Sequence, residues 1–223
     1  VLTAMGKYQF HPPLPFIPGS EAAGVVEAVG PGVTNLSVGD RVFCGGMGGL
    51  LATANIFSAA NMVRIPDAMS FEAAAIFPVN YQTAYYALAD RGRARPGETL
   101  LVLGAAGGTG FAAMQMGKRL GLRVIASASS EEKRAAALTG GADTVVQTGA
   151  DDWREQVSAA NGGRPVDIVF DPVGGGALAA TIAQSQPLRA NFLLSLFYAG
   201  PGIGILASGL VAPFVLQAFG PGS

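Results

Sequence analysis

Polar and apolar positions follow two different patterns along the chain. Up to about residue 80 the apolar runs are short, rich in β-branched residues and punctuated by glycine and proline. Ala23–Val29 stops at Gly30-Pro31-Gly32, Val38-Gly39-Asp40 turns into Arg41–Cys44, and Asn61–Ile65 runs into Pro66-Asp67. Strands at this spacing predict a small all-β module. Ahead of them, Pro12, Pro13, Pro15 and Pro18 predict an extended, irregular loop. From Ser70 the period lengthens: Phe71–Phe77 reads as a helix with Glu72 in its first turn, Pro78 interrupts it, and Tyr81–Asp90 resumes helical spacing before the linker Arg91–Gly97.

Beyond the linker, strands and helices alternate. Thr99–Leu103 is apolar throughout, as in a strand buried on both faces, and it ends in a glycine-rich turn. Phe111–Leu120 continues at helical period with Met114 and Leu120 facing in, Arg123–Ala128 is a second strand, and a helix follows from the Ser129-Ser130 cap with Glu131 and Glu132 in its first turn. On the dinucleotide fingerprint, Ala105, Gly107 and Gly110 occupy the three glycine positions, in the order strand, turn, helix that the fingerprint requires. Without a Cβ at Gly107 the backbone can approach a pyrophosphate, and Gly110 lets the helix pack closely on the strand. The N-terminus of that helix then offers N–H groups to the anion. Candidate cofactor contacts are therefore Ala106, Gly107, Gly108, Thr109 and Gly110. Further along, Trp153 opens, as a packing residue, a helix capped by Asp151 and Asp152, and Val166–Phe170 is a buried strand. The Asp171-Pro172-Val173-Gly174 turn lies at that strand's carboxyl end, where open α/β sheets bind ligands, which adds Pro172 and Val173. The fold class expected is α/β: a Rossmann-type doubly wound parallel sheet preceded by a mostly β domain.

Bulk properties narrow the function. Of 223 residues half are hydrophobic, and 14 basic against 15 acidic side chains leave a net charge of −1, which argues against nucleic acid as the main partner. A single cysteine, Cys44, rules out an internal disulfide and the usual cysteine-rich zinc sites, and it fits a reduced, cytoplasmic setting. No signal-peptide pattern opens the chain.

The order of the motifs carries a resemblance. PGSEAAGVVEAVGPGV at Pro18–Val33, VGDRV at Val38–Val42, IPDAMSFEAAA at Ile65–Ala75, TAYYAL at Thr83–Leu88 and the GETLLVLGAAGGTG run resemble the zinc-free quinone oxidoreductase branch of the medium-chain dehydrogenase/reductase superfamily. The resemblance implies a GroES-like catalytic domain over residues 1–80, a Rossmann NADP-binding domain over 81–223 and an active site in the cleft between them. It also implies a zinc-independent oxidoreductase passing hydride from NADPH to a quinone or α,β-unsaturated carbonyl. An enoyl-thioester reductase of the same branch and a non-catalytic NADPH-binding, crystallin-like protein are the alternatives. A small-molecule substrate and a homodimer fall within what the resemblance allows.

Zinc-dependent relatives carry a Gly-His-Glu triplet where this chain has Gly19-Ser20-Glu21, so no metal is expected. His11 sits in the proline loop with no neighbouring ligand spaced beside it, and Cys44 ending a strand reads as a small buried hydrophobe. Polarising the acceptor then falls to hydrogen-bond donors. Tyr8 matches a family tyrosine at the active-site lip, or simply packs on the proline loop. Thr83 matches the family threonine near the nicotinamide, or is a helix N-terminal residue bonding its own turn. For the cofactor, Ser127, Ala128 and Ser129 stand where an NAD site would place an acidic residue, with Ser127 a candidate cofactor contact, while Ser130 and Lys133 match family positions near the 2′-phosphate, with Arg134 adjacent. These features favour NADPH. Relatives carry a ribose-facing tyrosine after the third strand, where this chain has Thr148.

From Ala190 to Ser223 no residue is charged. The length suits a membrane helix, but Gly200, Gly202, Gly204, Gly209, Pro201 and Pro213 argue against a clean span, and Phe192–Gly200 can be laid on the next Rossmann strand. The expectation is a soluble chain whose two domains are both incomplete, with an end that departs from the family after residue 200.

Overall fold

The computed structural model describes residues 3–7 and 11–174. Two compact units, Val1–Gln82 and Thr83–Ser223, meet at a boundary that falls inside a helix. In the first, β1 (Glu21–Val25), β2 (Arg41–Gly45) and β3 (Met62–Arg64) form an antiparallel sheet in the order β1-β2-β3, with Ala23 opposite Phe43 and Phe43 opposite Val63. Its core is small: Val26, Leu36 and Val42 pack with Val33, Ala59 and Met62. The first strand is shorter than its apolar run, because after Val25 the chain pairs only through Val26, whose N–H donates to Asp40 O at 2.9 Å. Val29 is exposed. Arg41 ties the following turn down, donating to the carbonyls of Pro66, Asp67 and Met69 at 3.1, 2.7 and 2.6 Å while its guanidinium lies over the Phe71 ring.

Helix α1 corrects the expected break at Pro78, for it runs unbroken over Phe71–Tyr85 and passes into a π-helical turn at Tyr86–Arg91. Proline in a helix interior removes one donor and crowds the preceding turn. Here the Glu21 carboxylate of β1 takes the N–H of Val79, the next residue, at 2.6 Å, and Phe77 stacks on Tyr81 at 4.6 Å. External contacts thus hold a helix that local propensity would end.

The second unit's sheet is parallel, in the order β6-β5-β4-β7, built from β4 (Thr99–Leu103), β5 (Arg123–Ala128), β6 (Thr144–Gln147) and β7 (Ile168–Phe170). Helices α2 (Gly108–Arg119), α3 (Glu131–Thr139) and α4 (Trp153–Ala160) connect them. Such sheets are covered on both faces, and the central strand shows it: every residue of β4 is buried. Leu101, Leu103, Ile125, Val146, Trp153 and Val157 make one cluster of this core. Carboxylates lock the amino ends of the strands. Asp167 accepts from Thr99 N at 2.7 Å; Asp143 accepts from Val124 N at 2.7 Å and pairs with Lys118 at 2.7 Å. The expected cap of α4 is corrected: Asp152 is the N-cap residue, but its carboxylate accepts from Gln156 Nε2 at 2.7 Å and caps no backbone group. No helix among the described residues is long and apolar enough to cross a membrane. The strand expected at Phe192–Gly200 lies outside the described residues.

Candidate dinucleotide site

The carboxyl end of β4 and the turn after it set the geometry of the site. Gly104, not Ala105, is the left-handed residue, with φ +57°, and its carbonyl accepts from Gly107 N at 2.9 Å. Ala105 is fully buried and donates to Ser127 O at 3.1 Å, which ties the turn to β5. The turn then enters α2 through Gly107, whose extended φ of −80° and ψ of 158° place it as the N-cap without any capping side chain. A glycine at this position puts no side chain of its own over the start of α2, an arrangement suited to an anion.

Two close approaches make this turn dependent on glycine. A Cβ at Gly110 would lie 2.4 Å from Gly104 O and 3.0 Å from Gly104 C, and one at Gly104 would lie 2.7 Å from Val173 Cγ2. Gly110 is buried, so its part is packing, while Gly107 and Gly108 are exposed and Ala106 and Thr109 are half-buried. The second approach brings the turn after β7 against the turn after β4. Asp171, 3% exposed, holds that second turn by accepting from Val173 N at 2.9 Å and Gly174 N at 2.8 Å through Oδ1. Its Oδ2 is buried without a partner. The structure thus gathers Ala106–Gly110, Pro172 and Val173 at the carboxyl edge of the sheet, where open α/β sheets bind ligands.

Next along that edge is the end of β5. Ser127 requires a correction as a cofactor contact, because its side chain is fully buried. Its hydroxyl accepts from Trp153 Nε1 at 3.0 Å and meets Thr148 Oγ1 at 2.6 Å, so it supports the site from below. Ser129 and Ser130 are exposed at the start of α3. Ser130 Oγ caps the helix, accepting from Lys133 N at 3.3 Å. The Lys133 side chain is exposed and makes no ion pair among the described residues. Arg134 is held by Glu131 at 2.5 Å, with Nη1 buried and without a partner. Thr83 is half-buried near the carboxyl end of α1, not at a helix start, and its hydroxyl makes no hydrogen bond among the described residues. Tyr8 lies outside the described residues.

His11 is exposed, its Nε2 3.2 Å from Gly6 O. Cys44 is buried, and desolvation pushes its thiol up, which disfavours a thiolate nucleophile. Among the described residues no three His, Cys, Asp or Glu side chains converge on a common point, and the donor set that zinc prefers is not assembled. Sequence reasoning missed the Gly104 conformation and the Glu21–Val79 bond. Pro78, a proline inside an otherwise helical pattern, was the available signal for the second.

Comparisons with known proteins agree with this architecture. Residues 1–67 match the alcohol dehydrogenase GroES-like domain family and residues 108–188 the zinc-binding dehydrogenase family, while residues 173–223 match the family described as uncharacterised MFS-type transporter YbfB. Rat quinone oxidoreductase-like protein 2 is 34% identical over 98% of this chain. The chain spans 62% of that relative's length. A probable oxidoreductase from Mycobacterium abscessus superposes with TM-score 0.75 at 34% identity, over 97% of this chain and 71% of its own. Escherichia coli quinone oxidoreductase, solved in complex with NADPH, superposes with TM-score 0.70 at 32% identity, over 89% of this chain and 63% of its own. A parallel sheet with a glycine-rich turn at the carboxyl end of β4, preceded in the chain by an antiparallel β unit, is the domain order of the two dehydrogenase family models that match. This chain belongs to the quinone oxidoreductase branch of the medium-chain dehydrogenase/reductase superfamily.

Proposed function

We propose that the protein is a zinc-independent, NADPH-dependent oxidoreductase that reduces a quinone or an α,β-unsaturated carbonyl. The observation that carries the reading is the interlocked turn Gly104–Gly110, which enters α2 through Gly107, an N-cap residue with no side chain of its own to occupy the helix start. Ala106, Gly107, Gly108 and Thr109 would hold the pyrophosphate, with Pro172 and Val173 beside it. Ser130 and Lys133 would hold the 2′-phosphate, where a lysine without an ion pair is available and no acidic residue ends β5. When bound, the nicotinamide supplies the hydride. Thr83 would orient the ring, and Tyr8 would donate to the oxygen on which negative charge develops. Ser20 in place of a histidine ligand supports chemistry without zinc.

The test is NADPH oxidation with a quinone and with an enone as acceptors. Tyr8→Phe is expected to slow enone reduction more than quinone reduction, because a quinone is already a strong oxidant and needs less help from a donor. Thr83→Val is expected to impair both. A protein that binds NADPH and oxidises it with neither acceptor would be a binding protein rather than an enzyme.

A further inference from the structure

One face of the antiparallel sheet holds α1 at its proline. Directly opposed residues of an antiparallel pair share a face, and so do alternate residues of one strand. The register sets Glu21 opposite Gly45 and Ala23 opposite Phe43, which puts the Glu21 and Phe43 side chains on the same face, one on β1 and one on β2. Both reach the same turn of α1. Glu21 Oε1 accepts from Val79 N at 2.6 Å, and the Phe43 ring lies 6.3 Å from the Phe77 ring between centroids. Pro78 stands between these two contact points and has no N–H to give the helical ladder, so its turn is where α1 would otherwise kink. The carboxylate and the ring fix that turn from outside. Thr83 lies four residues beyond Val79, one helical turn further on the same face, and α1 continues through it to Tyr85.

We infer that Glu21 is a positioning residue for Thr83: by carrying α1 through its proline turn, it sets where the Thr83 hydroxyl stands against the nicotinamide. The inference rests on the reading of Thr83 as the residue that orients the ring, and it gives Glu21 a part in cofactor geometry beyond its part in helix stability. Glu21 acts through the helix alone. What the helix needs from it is an acceptor at the Val79 N–H, so an amide oxygen at the same reach does the same work, and a carboxylate one methylene shorter does not.

Calorimetric titration of the full chain with NADPH and with 2′-phospho-ADP-ribose, the same nucleotide without its nicotinamide, tests this without turnover. The ratio of the two affinities isolates what the ring contributes, and wild type should bind NADPH more tightly. Glu21→Ala should lower the ratio about fivefold while binding of 2′-phospho-ADP-ribose stays near wild type, and Glu21→Gln should restore it. Thr83→Val should lower the ratio by a similar factor. The Glu21→Ala, Thr83→Val double variant should lower it no further, because both substitutions act on one contact, whereas a merely structural loss at Glu21 would leave the ratio unchanged. Should Glu21→Ala fail to fold, Glu21→Asp takes its place with the same expected fall. A ratio kept by these Glu21 variants, or two effects that add in the double variant, would overturn the inference and leave the dinucleotide site standing. Equal binding of the two nucleotides by wild type would overturn it together with the role of Thr83. If wild type binds neither, the dinucleotide reading fails as well.

Discussion

Substituting Gly110 with alanine tests the glycine turn at its tightest point. A Cβ there would sit 2.4 Å from the Gly104 carbonyl oxygen, 3.0 Å from its carbon and 3.1 Å from Ala105 Cα. Non-bonded heavy atoms settle near about 3.5 Å, so the turn and the start of α2 must separate by about 1 Å. All three obstructing atoms are backbone, and no side-chain rotation relieves the contact. Overpacking of this kind costs about 1–3 kcal/mol of stability. The same shift pulls the first-turn N–H groups away from a bound phosphate. Hydrogen bonds to charged groups are worth about 1.5–3 kcal/mol, so NADPH should bind roughly 10- to 100-fold more weakly. Gly117→Ala is the control. Its Cβ would meet Leu100 Cδ2 at 2.7 Å and Val124 Cγ2 at 3.2 Å, side chains at the other end of α2. That variant should lower the melting temperature and leave NADPH affinity near wild type. The assay is a thermal melt paired with a fluorescence titration of NADPH. A Gly110→Ala protein with unchanged melting temperature and unchanged affinity would refute the reasoning.

Other expectations follow from single contacts. Glu21→Ala removes the acceptor for Val79 N beside Pro78 and should cost about 1–3 kcal/mol in denaturant unfolding, with Glu21→Gln recovering most of it; equal losses in both would show that the bond is not what holds the helix. Burial pushes the Asp143 carboxyl up, but the Lys118 ammonium and the Val124 N–H outweigh it and hold it below the ordinary range. A depressed folded-state value means its contribution is present above the unfolded value of 3.8 and is lost as pH falls through the folded one. Asp143→Asn should therefore flatten the acid end of the stability profile below about pH 4, and an unchanged profile would count against the pairing. Chelation with EDTA should leave NADPH oxidation unaffected, and stoichiometric zinc whose removal abolishes activity would overturn the metal-free reading.

The parallel sheet was readable because its strands are continuous apolar runs bounded by glycine and proline, a pattern that packing on both faces enforces. The turn after β4 was readable for a similar reason, as Gly107 and Gly110 are demanded by local backbone approach. What escaped depends on partners distant in sequence. Helix α1 continues past Pro78 because Glu21, 58 positions earlier, accepts the Val79 N–H, and no window around the proline contains that information. Ser127 seemed a cofactor contact from its place at the end of β5. Strand alternation and the arrival of Trp153, 26 residues on, turn its hydroxyl inward. Thr83 lies near the end of its helix rather than the start for the same reason that α1 is longer than expected.

Calorimetric titration of the chain with NADPH and NADH tests the central claim most directly. NADPH should bind saturably, one-to-one and at least about tenfold tighter than NADH, because Lys133 makes no ion pair among the described residues and no carboxylate ends β5. Absence of binding, or equal affinity for the two nucleotides, would contradict it.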